Sequence, residues 1–247
     1  MKPLIKTEKL SLRFGGVMGA DNIDFELYEG ENLAVIGQNG AGKTTFINIC
    51  TGFLKPDSGK VYFDGQDITG VSPRKIVRLG LGRSFQLPQL FSEHTVRECI
   101  ELSAASREGN LTYFKSLFNS VDRDEIDETL SLVGLADDDD KLSADLPEGK
   151  KKLLDVAMAL ALRPKLLIMD EPTSGVAAEE KHALMTMIMD ALTERKVTSW
   201  FVEHDEEIVE KYSTRVAAWI SGRIVADGTP QEVLNDPMIR SEVLGER

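Results

Sequence analysis

Short apolar runs alternate with glycine-containing turns through the first third of the chain. They predict strands at residues 4–14, 23–28, 32–36 and 60–63. The last strand enters a turn at Asp64-Gly65-Gln66, which is typical of a hairpin. Ser72-Pro73 follows, and a proline at that place predicts the start of a helix. This part of the chain is therefore expected to consist mainly of strands.

The pattern becomes helical from residue 95 to about residue 135. Apolar positions at helical spacing in residues 121–133 predict an amphipathic helix. The aspartates at 137–140 close this stretch. We interpret the whole stretch as a helical lobe inserted into the rest of the fold.

Strands and helices alternate in the remaining part of the chain. The pattern predicts, in order, a helix at 147–162, a strand at 166–169, a helix at 179–194, a strand at 198–202 and a helix from 206. A short strand pair around 217–220 and 223–225 and a small helix at 230–234 complete the tail. Such alternation is typical of an α/β core built on a parallel sheet.

Composition narrows the classes of function. The 247 residues suffice for one large core, or a core with a small lobe, but not for two complete nucleotide-binding units. The formal net charge of -12 argues against a broad nucleic-acid surface, so we expect no nucleic-acid partner. The sequence shows neither an apolar run long enough for a membrane span nor a secretory leader. Cys50 and Cys99 lack metal-ligand spacing and are expected to be small buried residues.

The most informative segment runs from Gly37 to Thr45 and fits the phosphate-binding pattern G-x-x-x-x-G-K-[ST]. It lies between a predicted strand and a predicted helix, so its backbone N–H groups and the positive helix end can face phosphate oxygens. Lys43 is expected to reach the β- and γ-phosphates, the Thr44 hydroxyl to ligate Mg²⁺, and Thr45 to support the α-phosphate. The predicted ATP-binding residues of this loop are Gly37, Gln38, Asn39, Gly40, Ala41, Gly42, Lys43, Thr44 and Thr45. By itself, the loop would suit a GTPase or a kinase equally well.

Two acidic residues, Asp170 and Glu171, end the apolar strand at 166–169. The carboxyl end of a parallel strand is the edge at which α/β proteins bind ligands. We expect Asp170 to hold the hydration shell of Mg²⁺ and Glu171 to accept hydrogen bonds from an attacking water. The alternative is that the pair only caps the following helix.

Together these motifs resemble the ATP-binding cassette subunits of ABC transporters over nearly the whole chain. The resemblance implies a P-loop NTPase fold with a RecA-like parallel-sheet core, an antiparallel β subdomain and an inserted helical subdomain. It also implies one ATP-binding domain over residues 1–247. Residues 1–90 and 160–247 would form the core and β subdomain, and residues 91–159 the helical subdomain.

The resemblance assigns roles to further residues by their position in the family's motif order. Phe14 matches the aromatic platform for adenine, Gln86 the glutamine that contacts Mg²⁺ or the lytic water, and His204 the switch histidine that senses the γ-phosphate. Leu146-Pro147-Glu148-Gly149-Lys150 stands at the place of the signature motif. In the family, this motif starts a helix that binds the γ-phosphate of ATP held by an opposite subunit.

Two positions depart from the family pattern. Pro147 has no hydroxyl to donate, so backbone N–H groups around Gly149 would have to bind phosphate, with Lys150 as a candidate replacement for the lost donor. Ala177 stands where the family generally has Asp or Asn, and it cannot make a hydrogen bond across the subunit interface. The two ATP sites of a dimer could therefore differ.

Within the family, several stretches resemble the ATPases of branched-chain amino-acid importers. They are Phe14-Gly15-Gly16-Val17, Ala20-Asp21-Asn22-Ile23, Arg83-Ser84-Phe85-Gln86 with Leu90-Phe91, and Val243-Leu244-Gly245-Glu246. The resemblance implies ATP and Mg²⁺, a homo- or heterodimer with a second cassette, membrane-spanning permeases at the cytoplasmic face of the inner membrane, and indirectly a substrate-binding protein outside the cytoplasm.

Other assignments stay open at this point. ATPases of lipopolysaccharide export share much of the importer pattern, and Pro147 with Ala177 is compatible with a dimerisation switch that hydrolyses ATP poorly. A DNA-repair or translation ATPase would need a long coiled coil or a duplicated cassette, and the sequence contains neither.

Overall fold

The computed structural model describes residues 2–107 and 121–245, and its strands form two sheets. The first is an antiparallel sheet of four strands in the order β2-β1-β4-β5. These strands are β1 (Pro3–Phe14), β2 (Val17–Tyr28), β4 (Ser58–Phe63) and β5 (Gln66–Asp67). This confirms the expected hairpin after residue 63. Asp64 and Gly65 have φ angles of 48° and 77°, as required by the tight turn that matches strand twist.

β2 begins six residues earlier than the predicted strand at 23–28. Phe14 pairs with Val17, so only Gly15 and Gly16 connect β1 to β2. Gly15 has a φ of 57°, a conformation that glycine adopts without steric cost. The short glycine turn thus allows pairing to start at once, which hydrophobic alternation alone did not indicate.

The second sheet has six strands in the order β10-β9-β3-β8-β7-β6. The strands are β3 (Asn32–Gly37), β6 (Leu81–Ser84), β7 (Leu166–Asp170), β8 (Thr198–Val202), β9 (Arg215–Ile220) and β10 (Arg223–Gly228). All neighbours are parallel except β9 and β10. The sequence did not predict β6, because a four-residue strand containing Gly82 has little pattern of its own. Its pairing with β7, Leu81 against Leu166, defines it.

The parallel sheet is covered on both faces, and β3 shows how the sequence achieves this. Leu33 and Val35 join an apolar cluster that includes the antiparallel sheet and the aromatic side chains Phe25, Phe46, Trp200 and Trp219. Ala34 and Ile36 face the opposite way and join a cluster formed mainly by helices. Strands buried on both faces read as continuous apolar runs, as β3, β7 and β8 do.

Most of the helices lie at the predicted places, whereas the short last one was not predicted. They are α1 (Lys43–Cys50), α2 (Pro73–Arg78), α3 (Val96–Arg107), α4 (Arg123–Leu132), α5 (Glu148–Ala161), α6 (Ala178–Glu194), α7 (Glu206–Tyr212), α8 (Pro230–Leu234) and α9 (Pro237–Ile239). Short 3₁₀ turns cover Ala136–Asp138 and Ser143–Asp145, and one π turn covers Arg240–Leu244. The helical stretch predicted from residue 95 contains α3 and α4, and its residues 108–120 lie outside the described residues.

The start of α5 differs from its prediction by one residue. Pro147 precedes α5 as its N-cap residue, with ψ at 155°, so Glu148 is the first helical residue. Proline has no N–H to donate, and its fixed φ suits either position.

Helices α3, α4 and α5 lie in the chain between the neighbouring strands β6 and β7, as an inserted lobe requires. The exact division into subdomains stays a prediction. Cys50 and Cys99 are both buried, as expected. In residues 2–107 and 121–245, no helix has the length and apolar character needed to cross a membrane.

Candidate nucleotide site

Four neighbouring parallel strands, β3, β8, β7 and β6, end at the same edge of the sheet. The chain leaving β3 forms the phosphate loop, and the chain leaving β8 contains His204. Asp170-Glu171 ends β7, and Gln86 follows β6. Parallel pairing therefore gathers motifs that are far apart in the sequence at the edge where α/β proteins bind ligands.

The phosphate loop requires glycine for two separate reasons. Gly42 has a φ of 102°, and a Cβ there would lie 2.5 Å from the Gly19 carbonyl oxygen, so β2 passes too close for any side chain. Gly40 has a φ of 82°, and within the described part of the chain no atom lies within 4 Å of its Cβ position. The loop thus packs against β2 at Gly42 and faces open space at Gly40, and this arrangement fits a phosphate-binding loop.

Lys43 is only 7% exposed and lies against this loop. Its Nζ donates to the carbonyl oxygens of Gly37, at 2.5 Å, and Gln38, at 3.0 Å. Burial lowers the pKa of the Lys43 ammonium, while the charges of Glu171 and Asp170 act in the opposite direction. The predicted phosphate-binding lysine therefore shares one electrostatic environment with both acidic residues.

Gln38 belongs to the loop by its backbone, but its side chain is directed elsewhere. Its Nε2 donates at 2.6 Å to the carbonyl oxygen of Glu242, in the π turn near the C-terminus. The C-terminal turn thus holds the outer side of the phosphate loop. A direct contact of this side chain with ATP is not favoured by this geometry.

Phe14 lies next to the start of α1, as an adenine platform requires. A Cβ on Gly19 would be 2.8 Å from Cε2 of Phe14 and 2.9 Å from Cγ2 of Thr45. The absence of a side chain at Gly19 therefore makes room for both groups. The Phe14 ring is 49% exposed, so a flat face remains available for a base.

Two of the predicted catalytic residues, Gln86 and His204, contact the carboxylate of the third, Glu171. Its Oε2 accepts a hydrogen bond of 2.6 Å from Nε2 of Gln86, and its Oε1 lies 3.3 Å from Nε2 of His204. The Glu171 side chain is 23% exposed, which leaves it accessible to a water molecule. The structure thus brings together an acceptor, an amide and an imidazole that the sequence placed up to 118 positions apart.

The backbone of Glu171 is held in an unusual conformation. Its φ is 51°, in the left-handed region that non-glycine residues rarely adopt. The Glu171 amide donates to Val202 O at 3.1 Å, and its carbonyl accepts from Ser174 N at 3.1 Å. Nearby, the buried Glu203 carboxylate accepts from both the amide and the hydroxyl of Thr173. These bonds tie the segment after β7 to β8.

Asp170 is 8% exposed and is held by Arg83, which reaches it from the neighbouring strand β6. Nη2 of Arg83 donates to Asp170 Oδ2 at 3.2 Å, and Nη1 donates to Asn48 Oδ1 at 2.6 Å. A carboxylate at Asp170, the Thr44 hydroxyl and the Gln86 amide are all oxygen ligands of the kind that Mg²⁺ prefers. The donor types at this edge therefore fit a magnesium ion.

The signature segment ends at the exposed start of α5. Among the described residues, no side chain caps this helix and no atom lies within 4 Å of a Cβ position on Gly149. The first backbone N–H groups of a helix have no partner within the helix, so this end suits an anion on another molecule. Leu146, by contrast, is buried and anchors the segment.

Lys150 is less available than the sequence suggested. Its Nζ lies 2.5 Å from Oδ2 of Asp138, whose carboxylate is 3% exposed and also binds Lys141. Ala177 is exposed at the N-cap position of α6, where it offers no side-chain acceptor. The two departures from the family pattern, Pro147 and Ala177, are both exposed.

Sequence reasoning missed several residues that shape this site. Gly19 accommodates Phe14, Arg83 holds Asp170, and Lys152 is buried behind Glu171. The signals were weak: Gly19 is one of 20 glycines, and Lys152 is the last of three consecutive lysines. Only the packing distinguishes a buried lysine from its solvated neighbours.

A phosphate loop at the end of β3 and a carboxylate pair at the end of β7 define a phosphate-loop nucleotide-binding protein. The model of the ABC transporter family matches residues 20–174. The chain therefore belongs to the ABC transporter family.

Relatives of known name match along the whole chain. The branched-chain amino acid transport ATP-binding protein BraF of Pseudomonas aeruginosa is 32% identical over 253 residues, covering 99% of both chains. The probable LivG protein of Archaeoglobus fulgidus is 36% identical over 252 residues, covering 98% of this chain and 95% of its own. LivG of Escherichia coli is 32% identical, with 99% of each chain covered.

Solved structures give the same picture of the fold. The ADP conformation of an ATP-binding cassette of an ABC transporter superposes with a TM-score of 0.84 at 30% identity, covering 100% of both chains. A nucleotide-free cassette gives a TM-score of 0.81 at 30% identity, with 99% of this chain and 100% of the other covered. The expected ABC ATPase fold is thereby confirmed.

Proposed function

We propose that this chain is the ATP-hydrolysing subunit of a membrane importer for branched-chain amino acids or related small amides and acids. The observation that carries the proposal is the convergence of Gln86 and His204 on Glu171, beside the phosphate loop. A protein that only binds nucleotide has no need for an oriented carboxylate at this position. The cargo is supported by the names of relatives that are 32% to 36% identical over nearly their whole length.

ATP would lie on the open side of the phosphate loop. The loop N–H groups and Lys43 would bind the phosphates, Thr45 would support the α-phosphate, and Phe14 would stack on adenine. Lys43 is already largely removed from water, so the interaction of its ammonium group with a phosphate would be stronger than at an exposed site.

Glu171 would orient and deprotonate the attacking water. Gln86 binds one carboxylate oxygen and His204 approaches the other, so the carboxylate is restrained while lone pairs remain for the water. In this proposal, His204 also presents a ring N–H to the transferred phosphate. Each group acts through its position. This is expected for phosphoryl transfer, in which the protein contributes mainly by positioning the reactants and stabilising charge.

We propose that Thr44, Gln86 and Asp170 hold Mg²⁺, with Asp170 acting through a bound water. Such an ion neutralises charge on the β- and γ-phosphate oxygens when it is bound. Arg83 binds one carboxylate oxygen of Asp170, which keeps the carboxylate at the sheet edge.

A second cassette would complete each site. The exposed N-terminal end of α5, with Gly149 unobstructed, supports binding to the γ-phosphate of ATP held by the partner cassette. Pro147 removes a hydroxyl donor there, so backbone N–H groups carry this contact. Homodimer and heterodimer arrangements both suit this surface.

Permeases would dock beside Gln86. Phe53, Leu87 and Phe91 are large apolar side chains that are 53%, 75% and 45% exposed, and Leu87 directly follows Gln86. Exposed apolar groups of this kind favour an interaction surface. The chain would accordingly lie at the cytoplasmic face of the inner membrane, bound through permeases that receive substrate from an extracytoplasmic binding protein.

The test combines hydrolysis with transport. Purified protein, alone and with its permeases in liposomes, is assayed for phosphate release and for leucine uptake in the presence of the binding protein. Glu171→Gln is expected to lower turnover by a factor of about 10² or more, since general-base catalysis contributes about 10²–10⁴. Glu194→Gln, an exposed glutamate at the far end of α6, is the matched control.

The outcomes separate the candidate functions. Equal turnover in wild type and Glu171→Gln would contradict the ATPase proposal and favour a dimerisation switch. Hydrolysis without leucine uptake, together with co-purification of a lipid-export assembly, would instead support the lipopolysaccharide-export alternative.

A further inference from the structure

Lys152 is a buried lysine in the second turn of α5. It is only 5% exposed, although lysine is almost never buried without a partner. Its Nζ donates to the carbonyl oxygen of Gln86 at 2.9 Å and to the carbonyl oxygen of Glu171 at 3.0 Å. One ammonium group therefore connects the signature helix to the backbones of two proposed catalytic residues.

These two residues are also joined through their side chains. The Gln86 amide donates to the Glu171 carboxylate at 2.6 Å. Lys152 joins the same two residues through their backbone carbonyl oxygens. Glu171 in addition has a φ of 51°, a conformation that persists only when surrounding contacts hold it. The bond from Lys152 is one of these contacts.

A second residue of α5 binds the segment that leads to Gln86. Asp155, three residues after Lys152, accepts hydrogen bonds from Ser84 Oγ at 2.5 Å and from Phe85 N at 3.2 Å. Residues three apart lie on one face of a helix, so both anchors face β6 and the chain that leaves it. A displacement of α5 would therefore displace Gln86.

Four acidic residues lie near the ammonium group of Lys152, and two of them are buried. Burial lowers the pKa of its ammonium, and the carboxylates of Glu203, Asp155, Glu171 and Glu148 oppose that shift. Glu203 and Asp155 are 4% and 8% exposed. An uncharged side chain at this position would leave these carboxylates without the positive charge that Lys152 provides.

The signature end of the helix is close to this anchor. Gly149 and Lys152 are three residues apart, which corresponds to about 4.5 Å along an α-helix. The proposed trans phosphate contact and the Lys152 anchor are thus within one turn of the same rigid element. Ala177, in contrast, offers no side-chain donor or acceptor for communication between sites.

We propose that Lys152 is a positioning residue that ties Gln86 and Glu171 to the N-terminal end of α5, so that a nucleotide bound there by a second cassette aligns this chain's own hydrolytic residues. This inference rests on the proposed function. It assigns the coupling of the two ATP sites to α5 rather than to the turn at Ala177.

The test compares Lys152→Met with Lys152→Arg and with Lys151→Met. Lys151 is on the same helix and forms a surface ion pair with Glu148. Its replacement therefore removes the same charge without removing a hydrogen bond to Gln86 or Glu171. The assembled transporter is assayed for phosphate release against ATP concentration, which gives kcat, KM and the Hill coefficient. Binding of a fluorescent ATP analogue and thermal unfolding are measured in parallel.

For Lys152→Met, we expect kcat to fall by about tenfold or more, since hydrogen bonds to a charged group contribute about 1.5–3 kcal/mol. The nucleotide Kd should stay close to the wild-type value, because Lys43 and the phosphate loop are untouched. The Hill coefficient should fall from above 1 in the wild type to 1. Lys152→Arg keeps charged donors and should restore most of kcat and the cooperativity, while Lys151→Met should behave as wild type.

A merely structural lysine would lower thermal stability without changing the Hill coefficient, and that result would overturn the inference. Wild-type kcat in Lys152→Met, or a wild-type Hill coefficient of 1, would also overturn it.

If Lys152→Met does not fold, Lys152→Gln replaces it, and its single amide donor should give an intermediate loss of kcat and cooperativity. An inactive wild type would contradict the proposed function itself, whereas an active wild type with an equally active Lys152→Met would contradict only the role of Lys152.

Discussion

The amide of Gln86 donates a hydrogen bond of 2.6 Å to the carboxylate of Glu171. The two residues follow neighbouring strands and are 85 positions apart in the chain. This bond orients the carboxylate from one side, and His204 lies near the other oxygen at 3.3 Å. The arrangement leads directly to a prediction about Gln86.

Gln86→Ala should lower kcat by about tenfold, because a hydrogen bond to a charged acceptor contributes about 1.5–3 kcal/mol and this one is partly exposed to water. The Kd for ATP measured without Mg²⁺ should not change, since Gln86 does not belong to the phosphate loop and its proposed contact is with the metal ion. Steady-state phosphate release and nucleotide binding measure the two quantities. Gln89→Ala is the control, because the side chain of Gln89 donates only to Leu87 O in the same exposed segment. A fall in affinity with unchanged kcat would contradict the positioning role of Gln86.

Gly19→Ala should weaken ATP binding by about tenfold, since stacking of a base on an aromatic ring contributes about 1–3 kcal/mol. The added Cβ would lie 2.8 Å from Phe14 and 2.9 Å from Thr45, so the exposed ring must move away. Gly16→Ala is the matched control, because among the described residues no atom lies within 4 Å of that Cβ position. Titration with ATP measures both variants, and equal dissociation constants would refute the placement of adenine on Phe14.

Arg83→Met should destabilise the fold by about 3 kcal/mol, because breaking a buried ion pair leaves an uncompensated charge. The guanidinium of Arg83 binds Asp170 and Asn48 and lies 4.8 Å from the centre of the Phe85 ring. Arg83→Lys should have an intermediate effect, since lysine keeps the charge but not the planar fork. Urea unfolding tests this order, with the exposed Arg74→Met expected to match wild type.

Glu125 should make stability depend on acid pH. Burial opposes ionisation of this carboxyl, but the hydrogen bonds of Arg107 and Arg163 outweigh burial and lower its pKa from 4.5 to about 2. Because the folded-state pKa is lower than the unfolded one, the ionised carboxylate stabilises the fold fully above about pH 4.5, and this contribution is lost as the pH falls towards 2.

Glu125→Gln should therefore be about 2–3 kcal/mol less stable than wild type at pH 7, with the difference shrinking as the pH is lowered below 4.5. Urea unfolding at a series of pH values measures this difference. Glu128→Gln on the same helix loses only an exposed pair with Arg195, so its effect should stay below about 1 kcal/mol. A difference for Glu125→Gln that does not change with pH would show that the ion pair is not its source.

Much of the site could be predicted because its motifs are local. The phosphate loop needs glycines at fixed spacing followed by Lys43 and Thr44, and the end of an apolar strand marks Asp170 and Glu171. The strand β6 could not be predicted in the same way, since its four residues acquire strand structure from pairing with β7. Lys150 was expected to face phosphate, but the buried Asp138 binds it, and that contact depends on a turn elsewhere in the chain.

The sequence by itself determined the class of fold, the phosphate loop, the order of the motifs and the departures from the family pattern at Pro147 and Ala177, because each depends on residue type at short range. The tertiary structure decided which residues meet: Gln86 and His204 at Glu171, Arg83 at Asp170, and Lys152 at the backbones of Gln86 and Glu171. The physical reason is that burial and hydrogen-bond partners arise from strands that pair across long separations in the chain. Charge and spacing alone could not distinguish the buried Lys152 from the solvated Lys151 beside it.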